Sequence, residues 1–157
     1  MKSVSLMLDF RGEVYVSMFR RWLIVDQLGR NRNGEFVLDI QKAALFDFLL
    51  KNPKDMHAFL VSFKRLNENS PYADILYDND AEYGAFSDVR EFLESMLMLE
   101  VEGYIELKIL GSECYVASGD KQFFFDSNLI ESWKFNLSLL KPLVGKSLNI
   151  LQKNSLR

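Results

Sequence analysis

The tripeptide Gly145-Lys146-Ser147 has the ending of a phosphate-binding loop, in which bare glycine backbone wraps the phosphates and the lysine reaches them. That loop needs a second glycine five residues earlier, and Leu140 stands there, in a stretch whose periodicity reads as helix rather than strand. The tripeptide therefore reads as a helix end carrying a lysine. Asp78, Asp80 and Glu82 have the first three spacings of a calcium loop. The sharp-turn position holds Tyr83 instead of glycine, and the closing bidentate position holds Val89 instead of glutamate. An acidic, solvated loop is the simpler reading.

Nucleophilic catalysis requires a tuned base, and the single histidine, His57, lies between Met56 and Phe59 on an expected helix with Asp55 close by. It reads as a partly exposed structural histidine. Cys114, the single cysteine, lies in a strand-like run without a glycine-rich activating turn, so it reads as a small buried apolar side chain. Glu91 and Glu94 have the separation of neighbours on a helix surface rather than of an acid–base pair in a pocket. No metal, cofactor or catalytic constellation emerges from the residue types.

The 157 residues are one domain's worth of chain, with 48% apolar and 13% aromatic residues, which excludes a disordered or collagen-like polypeptide. Lys+Arg 19 against Asp+Glu 22 gives a net charge of −3, without the bulk positive charge that favours nucleic acid. A lone cysteine fits a reducing cytosol. The start, Met1-Lys2-Ser3-Val4-Ser5-Leu6, runs into Asp9 and Arg11 without a signal-peptide core, and there is no uncharged apolar run of about 18 residues to span a membrane. A cytoplasmic, soluble domain is expected.

The elements that must position these residues begin with a helix over 13–28, where Val14, Met18, Trp22, Val25 and Leu28 line one face. Tyr15, Phe19 and Leu23 widen that stripe, as in a helix covered on more than one side. Gly29 suits the C-terminal cap, and the polar run 30–34 a turn. Phe36-Val37-Leu38 is a strand stub, and Asp39 a helix N-cap. A helix over 40–51 is expected to turn Ala44, Leu45, Phe48 and Leu49 inward and Gln41, Lys42 and Asp47 outward. Asn52-Pro53 breaks it and opens a third helix with Met56, Phe59, Leu60 and Phe63 on its apolar face.

Residues 67–84 are rich in turn formers and read as a long connection. Ser87 is then expected to cap a fourth helix with Val89, Phe92, Leu93, Met96 and Leu97 inward, ended by Gly103. The runs 104–110 and 114–117 about Gly111-Ser112 predict a β-hairpin, and Gly119-Asp120 a further turn before 121–125. A last helix is expected over about 128–144, bearing Leu129, Trp133, Leu137 and Leu140, disturbed by Pro142 and Gly145 and followed by a short continuation over 146–153. The predicted class is α+β, mainly α. It is a single winged-helix-like domain over 1–157, divided into a helical part (1–68), a loop (69–84) and a helix-hairpin-helix part (85–157) with a terminal helix.

Charge is unevenly spread. Residues 1–68 hold 11 basic and 8 acidic side chains, whereas residues 78–113 hold ten acids against Arg90 and Lys108. In a DNA-reading winged helix the helix before the hairpin and the wing approach phosphates and are basic. Here they would repel them. Two readings remain open, a surface that meets a basic protein face through Asp88, Glu91 and Glu94, or an ordinary solvated face. Arg20, Arg21, Arg30 and Arg32 form an opposite basic patch, suited to phosphate or an acidic partner, or else a solvated helix end.

The segment Leu38-Asp39-Ile40-Gln41-Lys42-Ala43-Ala44-Leu45-Phe46-Asp47-Phe48-Leu49-Leu50-Lys51-Asn52-Pro53 resembles the helix of the middle components of three-component ABC-ATPase systems, where a leucine–phenylalanine–aspartate step precedes a closing asparagine–proline. The run Glu13–Met18, the loop Ser70-Pro71-Tyr72 and the helix–glycine–hairpin order around Gly103–Val116 are similar to that family as well. Leu45–Pro53 is the specific part. The resemblance implies a small winged-helix-like accessory subunit that works with an SMC-like ATPase and a separate effector, often a nuclease, as in Lamassu-type defence against phage and plasmids. It carries no catalytic motif and no cofactor, and implies contact with DNA only through the complex. The alternative is a DNA-binding winged-helix transcriptional regulator acting alone.

Overall fold

The computed structural model describes residues 2–65 and 89–155, with side chains from 14 to 65 and from 89 to 153. Expectations for the 67–84 connection, the Ser70-Pro71-Tyr72 loop, the Asp78–Glu82 acids, the Ser87 cap and Asp88 lie outside the described residues.

Helix α1 runs over Lys2–Leu28, eleven residues earlier in its start than the periodicity over 13–28 suggests. Its C-terminal half is buried without a break from Phe19 to Val25, because α2, α4, α5 and the hairpin all pack on it. Gly29 follows where β2 crosses the helix end. A Cβ there would stand 2.5 Å from the Val25 carbonyl oxygen, 2.8 Å from Ala117 Cα and 2.9 Å from the Val116 carbonyl oxygen. The glycine is required by this close approach of backbones.

Asp39 caps α2 (Ile40–Lys51) as expected, accepting from the Lys42 backbone N–H at 2.9 Å. The helix is not amphipathic. All residues from Ala43 to Leu50 are buried, including Asp47, which the sequence pattern turns outward. Helices packed on several sides lose the single-stripe pattern. Asn52 closes α2 by donating its side-chain amide to the Phe48 carbonyl at 2.8 Å, and Pro53 opens α3 (Pro53–Ser62) where a missing N–H costs nothing.

Helix α4 (Val89–Val101) buries Phe92, Ser95, Met96 and Leu99, while Leu97, expected inside, is 47% exposed. Gly103, with φ +87°, turns the chain into β1 (Ile105–Leu110). This strand pairs antiparallel with β2 (Glu113–Ser118), Ile105 opposite Ser118 and Leu110 opposite Glu113. The stub at 36–39 lies against the far edge of β2. The Val116 N–H donates to the Leu38 carbonyl at 2.9 Å, and Asp39 bridges Tyr115.

The expected last helix is broken. Helix α5 (Ile130–Leu140) gives way to a 3₁₀ turn over Lys141–Leu143, because Pro142 has no N–H to continue the ladder. A separate helix, α6 (Leu148–Ser155), follows. Gly145-Lys146-Ser147 forms the joint, with the Ser147 carbonyl accepting from the Leu151 N–H at 3.1 Å and its hydroxyl from the Ile150 N–H at 3.3 Å. The serine serves α6 as an N-cap, so the tripeptide is a turn and not a phosphate cradle. One core of side chains from all these helices and the hairpin unites the described residues. Each large apolar side chain in it contributes about 1.5–3 kcal/mol.

Candidate protein-binding groove

Arg20 and Arg21 do not form an exposed patch. Their side chains are buried, and both converge on the buried carboxylate of Asp47. Arg21 extends further, donating to Ser95 Oγ at 2.6 Å and to Glu91 Oε1 at 2.8 Å. Burial works against the Arg21 charge, but the field of Asp47 and the bonds to Glu91 and Asp47 outweigh it and hold its pKa above the ordinary guanidinium range. These arginines tie α1 to α2 and α4, and they offer no charge to a phosphate or an acidic surface.

The other proposed contact residues scatter. Arg30 pairs with Glu106 at 2.8 Å and lies over the Phe36 ring at 4.8 Å, on the hairpin side of α1. Arg32 is exposed in the turn that follows. Glu94 is exposed and meets Arg90 at 3.5 Å along α4. Glu91 is half-exposed yet serves the arginine network, so it is not the simple outward charge its position between apolar residues suggests.

A polar cavity of about 490 Å³ opens beside the start of α2, lined in part by Asp39, Lys42, Cys114, Tyr115 and Ser147. Its groups are engaged with one another. Lys42 Nζ donates to the Val144 carbonyl at 2.9 Å and lies 3.8 Å from Asp39. The Tyr115 hydroxyl donates to Glu113 at 2.7 Å, which raises its pKa. Burial, then the charge of Glu100, pushes the Cys114 thiol up, so the thiolate is disfavoured. His57 is half-buried on α3, and its Nδ1 meets no hydrogen-bond partner among the described residues. Among the described residues no group of three or more His, Cys, Asp or Glu is placed to hold a metal ion, and no helix is long and apolar enough to cross a membrane.

A second hollow, of about 590 Å³, is apolar and lies between α1 and the C-terminal end of α4. The two helices run in opposite directions along it. Arg21 meets Glu91 and Ser95, whereas Val14, two turns earlier, shares the groove with Val101 and Glu102. Val14, Tyr15 and Met18 form one wall and Met98 and Val101 the other. Leu99, Glu102, Tyr104 and Phe123 complete the lining. The Phe123 ring packs 5.2 Å from Tyr104, 5.9 Å from Phe19 and 6.3 Å from Trp22, so the aromatic part of the lining continues into the core. The walls stand open to solvent, with Val101 82%, Met98 61% and Tyr15 56% exposed.

The chain matches no protein-family model, no curated protein and no solved structure. What the groove can do follows from its make-up, which is to bury apolar side chains of another molecule. Sequence reasoning missed it because it placed Tyr15 on a covered flank of α1. The available signal was apolar Met98 and Val101 on a helix whose inward stripe was already complete without them.

Proposed function

We propose that this chain is a non-catalytic, winged-helix-like bridging subunit of an SMC-like ABC-ATPase complex in anti-phage or anti-plasmid defence. The observation that carries the protein-binding part of this reading is the open apolar groove between α1 and α4, since exposed apolar surface of this concentration marks an interaction site. The order helix, strand stub, two helices, then α4 with its hairpin, and the stub's seat against β2, support the winged-helix comparison. The ATPase partner and the effector rest on the resemblance of Leu45–Pro53.

The regulator alternative loses support from the two arginines that are consumed inside the fold. The α4–hairpin unit also exposes Glu94, Glu100, Glu102 and Glu113 toward solvent, which opposes phosphate binding. The test is co-expression of the full chain with a long coiled-coil ATPase encoded beside its gene, followed by co-purification. A stoichiometric complex supports the bridging reading. Tight, sequence-specific duplex binding by the isolated chain at moderate salt would transfer the protein to the regulator class.

A further inference from the structure

We infer that β1 pairs edge to edge with β1 of a second copy of this chain, antiparallel and about a twofold axis at Leu107, so that the two hairpins form one continuous sheet. The inference does not depend on the ATPase reading. It stands on two features of the strand.

The first is the direction of its backbone groups. Antiparallel ladders alternate between residue pairs that exchange hydrogen bonds and pairs that do not. The Gly119 N–H donates to the Tyr104 carbonyl at 2.9 Å, and these two residues continue the β1–β2 register by one step. Glu106, Lys108 and Leu110 therefore turn their N–H and C=O groups toward β2, while Leu107 and Ile109 turn theirs outward. Val116, opposite Leu107, agrees with this phase, since its N–H points away from β1 to the Leu38 carbonyl. Among the described residues no further strand joins β1 on that side. The edge opens along its length, from buried Ile105 through half-buried Leu107 to Ile109, which is 76% exposed. Edge strands are commonly blunted by a proline or a bulge, and β1 has no proline and an unbroken register.

The second is that its charges complement themselves. Twofold pairing about Leu107 sets Glu106 opposite Lys108 of the second copy, and Lys108 opposite its Glu106. Exposed Ile109 then lies beside Ile105 of the other copy. Moving the axis one residue either way would set Glu106 against Glu106 or Lys108 against Lys108, and like charges directly opposite are destabilising. Both groups can take a further partner. Arg30 meets Glu106 through Oε2 alone, and Lys108 Nζ, 5.5 Å over the Phe36 ring, has no carboxylate at ion-pair distance among the described residues. A lysine deters most strands from an edge, whereas here it admits the one that brings a carboxylate to the facing position. Because the contact is isologous, each edge is used once and assembly stops at the dimer.

Pairing of one short strand buries less surface than a permanent dimer interface, so association is expected at about 0.1 mM. The test is sedimentation of the full chain over a concentration series reaching about 1 mM. Glu106→Lys and Lys108→Glu should each weaken the dimer about fivefold or more, because each turns two attractive cross-strand pairs into repulsive ones. The double variant Glu106→Lys/Lys108→Glu should restore it, since the same pairs form with their signs exchanged. Both side chains are exposed, and thermal melts of the three variants verify that the fold survives. A chain that stays monomeric throughout the series, single variants that dimerise like wild type, or a double variant no tighter than either single one overturns the inference. A dimer that is indifferent to these charges but dissociates on Val101→Glu overturns it as well, and assigns self-association to the α1–α4 groove.

Discussion

The Arg21 guanidinium reaches Ser95 Oγ at 2.6 Å across 74 positions of sequence, and with it joins the C-terminal half of α1 to the middle of α4. On its other side the same guanidinium donates to Asp47 Oδ2 at 3.0 Å, while Arg20 donates to the other oxygen of that carboxylate, Oδ1. Two cations and one carboxylate thus lie where three helices meet, with water largely excluded. Such a cluster need not be more stable than a well-packed apolar substitute, but removing one partner leaves a buried charge without compensation.

Asp47→Ala is therefore expected to destabilise the domain by about 3–5 kcal/mol. Chemical denaturation followed by tryptophan fluorescence measures it. Glu91→Gln, at the half-exposed end of the same network, should cost about 0–1 kcal/mol. Equal losses at the two positions would mean that Asp47 is not the anchor of the cluster.

Gly29→Ala tests the crossing of β2 over the end of α1. The added methyl would meet backbone atoms of Val25, Val116 and Ala117, none of which can swing away as a side-chain tip can. Overpacking of this kind costs about 1–3 kcal/mol, and a loss of at least that size should appear in the denaturation midpoint. Gly34→Ala is the control, since open space surrounds Gly34 and only its φ of +79° is strained. A Gly29 variant no worse than that control would show that the hairpin can lift from α1 at little cost.

Cys114 should alkylate slowly at neutral pH. Burial and the neighbouring Glu100 raise its pKa, so the reactive thiolate accumulates only at higher pH than in a free thiol. Iodoacetamide rates measured against pH, beside a free cysteine peptide, should give a midpoint shifted upward, and Glu100→Gln should move it part of the way back. A midpoint at or below that of the peptide would reopen the polar cavity as a site of cysteine chemistry.

The elements that were legible in the sequence are those bounded by residues with a local backbone task. Asp39 caps α2, Asn52-Pro53 separates α2 from α3, Gly103 ends α4, and Gly111 turns the hairpin at φ +64°. Residues whose role depends on a distant partner were not. Asp47, Arg20 and Arg21 have the side chains of a surface, and only their mutual contact, between residues 26 and 27 positions apart, makes burial tolerable. Periodicity assigns α2 one apolar face because it assumes one covered side, whereas every residue of this helix from Ala43 to Leu50 is buried. The groove is not legible in the sequence for a related reason. It exists where Val14 and Tyr15 come alongside Met98 and Val101, a juxtaposition that no spacing within either helix encodes.

Glu94 is the cleanest probe of the acidic surface, now that Glu91 is committed to Arg21. It is exposed, and it pairs at 3.5 Å with an Arg90 that is itself almost wholly in solvent. Exposed pairs of this kind along a helix contribute about 0.3–0.5 kcal/mol, so Glu94→Lys should leave the melting temperature nearly unchanged. Its expected effect is on association with the proposed ATPase partner. A charge on the rim of an interface acts at long range, steering the encounter rather than holding the finished complex, so reversal should lower the on-rate and leave the off-rate close to wild type. The deficit should be largest at low salt and fade as ionic strength shortens the Debye length to about 8 Å and below. Stopped-flow or surface-based association kinetics over a salt series would measure both features. A Glu94→Lys protein that associates at the wild-type rate in low salt would take this face of α4 out of the encounter and leave the apolar groove beside it as the whole of the recognition surface on that helix.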